Sequence, residues 1–419
     1  MTRYFWVLVH RYTGLYIAFF LFVAGLSGSV LAFYHELDAW LNPLERVAAQ
    51  SSPMLDPFTL RERALALNTR SQINSVSLAP REVGAIYTAV IEPLPSSSED
   101  NSPKIIKLNP YTGEAIPGQT ELIPTSGLRY WPLTRKNILP FITELHYSLV
   151  VGEIGIWLFG IAATLWTVDC FVGFYLTLPP PKKKSPATAS VNSTNLPNHQ
   201  RSFWQRWQIA WKIKWRGSNQ RRNFDLHRAG GLWTWAMLLV FAWSSVYLNM
   251  LEPVYTPIMK QFSELTDFND YPIADLPRAQ YAPAVDFRAA YPIAKQLMHE
   301  QAKQKGFTVL AEQKFLYDPL KGLYLYWAVT DRDVSTSAGS SLLWLDAKSG
   351  AFVALYLPTG EKTGDTITNW LGALHMARIG GLPYQMLVCL IGLTVAMLSV
   401  TGVYLWLKKQ QAIFLKHKG

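Results

Sequence analysis

HRYTGL at residues 10–15 returns as HRAGGL at residues 227–232, and each copy stands at the head of a long apolar run. The shared pattern, HRxxGL, puts an ionisable pair at the mouth of a hydrophobic segment twice in one chain. A second pair of segments matches as well. Leu145, His146, Gly152, Gly173 and Tyr175 recur as Leu374, His375, Gly381, Gly402 and Tyr404, all at one offset of 229 residues. Hydrophobic composition alone does not generate five identities at a fixed spacing, so the chain reads as two tandem halves.

The apolar runs themselves are Tyr12 to Tyr34, Gly155 to Leu178, Leu232 to Leu251 and Leu382 to Leu407. Each is nearly free of charge and meets the roughly 20 residues that a helix needs to cross hydrocarbon. In a chain of 419 residues that is 49% hydrophobic and 16% charged, this predicts an integral membrane protein with sizeable polar segments between its spans. The first run is longer than the roughly 7–15-residue core of a cleaved leader. Its motif also recurs deep in the chain, so it reads as a retained anchor.

The fold class expected is a membrane α-helical protein of four spans in two tandem parallel repeats, with two α+β extramembrane domains. The divisions are a first span (1–35), an outer domain (36–140), a surface helix with the second span (141–178) and a basic linker with an interfacial helix (179–226). The second half follows with the third span (227–251), a second outer domain (252–365), a surface helix with the fourth span (366–407) and a tail (408–419).

Orientation follows from the basic residues. The connector carries Lys182, Lys183, Lys184, Arg201, Arg206, Lys212, Lys214, Arg216, Arg221 and Arg222 against the single acid Asp225, which predicts a cytoplasmic loop. Lys408, Lys409, Lys416 and Lys418 agree with cytoplasmic termini. The large polar segments then face the periplasm of a bacterial inner membrane. The net charge of +10 sits at the lipid surface, and nucleic acid is not needed to explain it. Within the connector, PPPKKKSPATASVNSTNLPN reads as a solvated linker. Trp204, Trp207, Trp211 and Trp215 fall on one helical stripe, as an in-plane interfacial helix would place them.

Each outer segment has a helical stretch followed by short alternating runs. RERALALN leads to SVSL, AIYTAVIE and IIKLNPYTGEAI; FRAAYPIAKQLMHEQAKQKG leads to FTVLAEQKF, LYLYWAVT and LLWLDAKSGAFVAL. Period-two alternation marks the strands, and NPYTGE and DAKSGA supply turn residues before the last of them.

Four of the eight histidines occupy matched positions: His10 and His227 at the inner ends of the first and third spans, His146 and His375 at the outer ends of the second and fourth. From His146 to Gly173 is 27 residues, or roughly 40 Å if helical throughout, which sets this histidine near or beyond the outer boundary of the hydrocarbon. A two-fold axis along the membrane normal makes each pair face itself across the bundle. Two neutral imidazoles so opposed suit the two axial positions of a haem iron, and a bundle interior supplies an apolar slot for the ring. Two pairs suggest two haems. No CxxCH occurs and Cys170 and Cys389 stand alone, so the haems would be non-covalent b-type.

Each residue also has a plainer use. An interfacial histidine can be an anchor or a cap, and matched placement is what favours the ligand use for these four. Arg11 and Arg228 are open between haem propionates and lipid phosphates. Asp169, an acid well inside a span, is open between a hydrogen-bond partner behind a ligand histidine or a proton relay, and a carboxyl paired with a nearby hydroxyl or indole. His35 sits where the other half has Glu252 and reads as a solvated interfacial side chain.

HRYTGL, FDLHRAGGLW, LHYSLVVGEIG, LHMARIGGLP and TGVYLWLKK together resemble the PepSY-associated transmembrane-helix family of iron-regulated inner-membrane proteins, and NPYTGEAI and DAKSGAFVAL resemble PepSY-domain strands. The resemblance covers nearly the whole chain. It implies four spans with two periplasmic PepSY-like domains, and its better understood members resemble di-haem reductases of ferric siderophores. His10, His146, His227 and His375 match the motif histidines. The activity expected on this basis is electron transfer through two haems to a periplasmic Fe(III) chelate. No GxGxxG follows a strand, so the donor would be a quinol or a separate cytoplasmic reductant. Two alternatives are a non-enzymatic protein whose outer domains regulate a peptidase or bind a partner, and a metal-ion transporter.

Overall fold

Four helices carry the apolar runs: Arg3–Leu31, Glu153–Thr177, Asn219–Asn249 and Gly381–Lys418. All four are long and apolar enough to cross a bilayer. The structure, a computed structural model, describes residues 2–95, 103–118, 121–122, 130–181, 202–335 and 339–418. Of the linker expected at residues 179–198, all beyond residue 181 lies outside the described residues, as does His199.

The first and third spans start well before the HRxxGL motif. Thr2 accepts from the Phe5 N–H and Ser218 from the Arg221 N–H, so side-chain caps fix the starts and carry the helices past the apolar windows. His10 and His227 therefore lie about two turns inside their helices rather than at the mouths. At the other end of the chain, the segment expected as a tail continues the fourth span as helix.

The connector differs from its expected form. Ser202 and Gln205 make a reciprocal capping box for the helix Phe203–Trp207, which passes into a 3₁₀ turn at Gln208–Trp211 and ends there. Trp204, Trp207 and Trp211 do follow one another along it, with ring centroids 5.6 and 5.3 Å apart, the first pair tilted and the second edge to face. Trp215 lies beyond the helical part, because Lys212 is extended and closes the run.

In the bundle the first span packs on the second and the fourth, and the third packs on the same two, so the first and third stand diagonally opposed. Small residues allow the close crossings. A Cβ on Gly25 would lie 2.5 Å from the Gly392 carbonyl oxygen, and the Ser29 hydroxyl donates to the carbonyls of Gly25 and Cys389 at 2.7 and 3.1 Å. Ala163 on the second span and Ala242 on the third are both buried. Cys170 and Cys389 are free thiols.

The polar segments form a second compact unit, His35–Ile138 with Ile258–Ala373. Among the described residues it holds nine strands: β1 (Ser71–Gln72), β2 (Ser75–Ser77), β3 (Tyr87–Pro93), β4 (Lys104–Leu108), β5 (Glu121–Leu122), β6 (Val309–Asp318), β7 (Leu323–Thr330), β8 (Ser341–Asp346) and β9 (Phe352–Tyr356). They make two antiparallel sheets, β1-β3-β4-β5 and β2-β6-β7-β8-β9. Helix Pro57–Ala66, with Asp56 as its cap, packs Leu60 and Ala64 on Tyr87, Ala89 and Ile91 of β3. Helix Phe287–Lys305, capped by Asp286, packs on the larger sheet through Ala290, Ala294 and Met298.

The expected separation into two outer domains is not how these segments pack. β2, the SVSL run of the first half, leaves its neighbours and pairs with β6 of the second, Val76 opposite Phe315. Val76 and Phe58 are thereby buried in one cluster with Phe287, Phe315 and Tyr324. The two closing turns share one chemistry. The Asn109 side chain accepts from the Tyr111 and Thr112 N–H groups, as the Asp346 side chain does from those of Lys348 and Ser349. Gly113 and Gly350 take the left-handed φ values of 71° and 74° that complete each turn.

Candidate functional site

The membrane unit brings the four matched histidines together two by two. His10 and His227, on the diagonally opposed first and third spans, have ring centroids 6.0 Å apart; His146 and His375 have centroids 6.1 Å apart. His10 and Ser27 are 17 residues apart on one helix, as are His227 and Ser244, which separates the two pairs by roughly 25 Å along the bundle. The two serines mark the outer level, because each is bonded to one ring of the outer pair.

All four rings are held by Nδ1. Ser27 Oγ is 3.0 Å from His146 Nδ1 and Ser244 Oγ is 2.7 Å from His375 Nδ1. His227 Nδ1 lies 3.1 Å from both the Leu398 carbonyl and Thr401 Oγ1. His10 Nδ1 lies 2.9 Å from both carboxylate oxygens of Asp169. Among the described residues no Nε2 of the four makes a hydrogen bond, so each ring is oriented from behind with its second nitrogen unclaimed. A metal takes an imidazole in its neutral form, through the nitrogen that the tether leaves free.

The centroid spacing suits two imidazoles sharing one metal. Two metal–nitrogen bonds of about 2.0–2.1 Å each, continued through the rings, put imidazole centroids on one metal roughly 6 Å apart. Three of the rings also rest on glycines: a Cβ on Gly28 would lie 3.0 Å from His146 Cε1, one on Gly402 3.3 Å from His227 Cε1, and one on Gly173 3.4 Å from His10 Cε1. Trp406 contributes a buried indole N–H without a partner among the described residues. It stands one turn beyond Gly402, as a donor on offer near the inner pair.

The outer pair sits deeper than a continuous helix would place it. After His146 the chain turns through Leu149 and Val150 at φ 53° and 60° to Gly152 at 63°; after His375 it turns through Ala377 at 51° to Gly380 and Gly381 at 65° and 57°. Left-handed backbone at non-glycine residues costs about 1–3 kcal/mol each. The turn detaches helices Ile138–Ser148 and Thr363–His375 from the spans that follow. His146 consequently lies against Ser27, one turn before the end of the first span, not some 27 residues of helix above Gly173.

The two arginines part company. Arg228 donates to the carbonyls of Ile209, Ala210 and Lys212 and to Asp225, at 2.8 to 3.4 Å, fastening the third span to the connector. Arg11 has no ion pair among the described residues. Asp169 does reach a histidine, and its carboxyl is paired with that imidazole rather than with a hydroxyl or indole. His35 lies in the short helix Tyr34–Leu41 and belongs to neither pair. Sequence reasoning missed Ser27, Ser244 and Thr401. The two serines stand at the offset that relates His10 to His227, 217 residues, and extending that register would have found them.

A sequence model of the PepSY-associated TM region matches residues 7–409. No curated protein matches the chain. The chain belongs to the PepSY-associated TM family.

Proposed function

We propose that this member of the PepSY-associated TM family holds one b-type haem on each histidine pair and passes electrons across the membrane to an Fe(III) chelate. The observation that carries this is the opposed geometry, two pairs at 6.0 and 6.1 Å with every ring tethered at Nδ1. His10 and His227 would ligate the inner group, and His146 and His375 the outer. Arg11 and the Trp406 N–H are the donors available to its carboxylates at the inner end. The haems would supply one-electron chemistry when bound; the protein orients the ligands through their Nδ1 atoms.

Reduction of a ferric siderophore releases iron because hard oxygen donors hold Fe(III) far better than Fe(II). The donor would be a quinol or a cytoplasmic reductant. The basic connector and the fourth span's lysines support a bacterial inner membrane with both termini in the cytoplasm and the sheet-bearing unit in the periplasm. The reading takes the bundle as two parallel halves. Among the described residues no group of three or more His, Cys, Asp or Glu converges on a point. Two ligands per site suit an iron whose other positions a macrocycle fills better than they suit a transported ion.

The reduced-minus-oxidised absorption spectrum of the purified protein tests this, with haem stoichiometry. Sharp b-type bands at two haems per chain are expected; a protein that takes up no haem sinks the proposal. Gly28→Ala should displace His146 and lower the haem content of the outer site several-fold. Gly173→Ala, where the new Cβ meets His10 Cε1 at an ordinary 3.4 Å, should leave the inner site loaded. Equal losses in the two variants would contradict this packing.

A further inference from the structure

Among the described residues, one alone of the four imidazoles is backed by a carboxylate. Three Nδ1 atoms meet neutral groups, the Ser27 and Ser244 hydroxyls and the Leu398 carbonyl with Thr401; His10 meets both oxygens of Asp169. In the register that relates His146 to His375, Leu398 stands where Asp169 stands, so the two halves depart from one another at the group behind the inner ligands. The Asp169 side chain is 8% exposed in an apolar span, and a carboxyl at such a place is costly to keep. His10 is its only hydrogen-bond partner among the described residues.

We propose that Asp169 is a positioning and tuning residue that makes the inner haem the weaker oxidant of the two, and so fixes the direction of electron flow from inner pair to outer pair. The inference rests on the di-haem reading and adds a gradient to it. A carboxylate accepting the Nδ1 proton gives the imidazole anionic character and makes it a stronger donor to the metal. A more basic axial ligand and a nearby negative charge both favour Fe(III) over Fe(II), and hydrogen bonding behind the ligand is one of the protein's levers on haem potential. The hydroxyls and the carbonyl behind the other three rings orient without adding charge. The step itself is one electron: the inner iron goes from Fe(II) to Fe(III) as the outer goes from Fe(III) to Fe(II). The proton between His10 and Asp169 stays where it is.

Spectroelectrochemical titration of the detergent-solubilised holoprotein reads this directly. Wild-type protein should show two midpoints, and the lower should be the one missing from His227→Ala, which strips the inner site without touching Asp169. If the missing midpoint is the higher one, the inference fails while the di-haem reading stands. Asp169→Asn keeps an acceptor of the same shape and removes the charge. It should raise the inner midpoint by at least a tenfold change in the one-electron equilibrium, about 59 mV, and leave the outer one in place. Asp169→Glu, with the charge restored, should bring the inner midpoint back toward the wild-type value. An unchanged midpoint in Asp169→Asn, or an equal rise in both variants, overturns the tuning role and leaves Asp169 as packing. A protein without haem bands fails earlier, at the function on which this rests.

Discussion

His10→Ala and His227→Ala are each expected to leave the purified protein with one haem in place of two, and the haem lost should be the same. The rings come from opposite helices but share one 6.0 Å gap, and a single tethered imidazole cannot hold an iron from both sides. The double variant should therefore lose no more than either single one, the non-additivity of two residues acting as one unit. His146→Ala and His375→Ala should behave alike at the other site, where Ser27 and Ser244 rather than Asp169 hold the rings. Haem content and the reduced spectrum measure all of this on one preparation. Should His10→Ala and His227→Ala remove different haems, pairing across the bundle is wrong even if the protein remains a haem protein.

This pairing was legible before any coordinates because it lies in identity and spacing, which a repeat preserves. HRxxGL names two of the rings, and the 229-residue offset names the other two. What holds the rings was less legible. Ser27 and Ser244 are small polar residues in apolar helices, a kind that more often bonds back to its own helix; Ser27 does that too, donating to the Val23 carbonyl at 2.7 Å. The depth of His146 depended on backbone turning left-handed at Leu149 and Val150, residue types that rarely do so. Arg228 depended on carbonyls in a connector whose path no pattern specifies. The strands were legible from their alternation, as in β7. That β2 would cross to the other sheet was not, since a three-residue strand pairs wherever an open edge and an apolar hole for Val76 coincide.

Gly25→Ala is expected to destabilise the bundle by about 1–3 kcal/mol, the usual range for overpacking a close-packed interior. The added methyl meets backbone: 2.5 Å to the Gly392 carbonyl oxygen and 3.1 Å to the Ala396 nitrogen. No side chain can swing aside to relieve it, so the first and fourth spans must part and stretch the Ser29–Cys389 bond that crosses between them. Helix propensity alone predicts the opposite sign, since alanine is better than glycine by about 1 kcal/mol in a helix interior. Gly14→Ala supplies that contrast on the same helix, because nothing lies within 4 Å of its Cβ position; it should be neutral or stabilising. In the 217-residue register Gly25 corresponds to Ala242, which is fully buried against its own neighbours, so the other crossing already accommodates the methyl. Thermal unfolding in detergent followed by circular dichroism compares the two variants, and equal midpoints would refute the backbone clash. A functional readout follows from position. Ser27, the tether of His146, is two residues from Gly25 on the same span, so parting these helices should loosen the outer haem at temperatures where the inner one is still held.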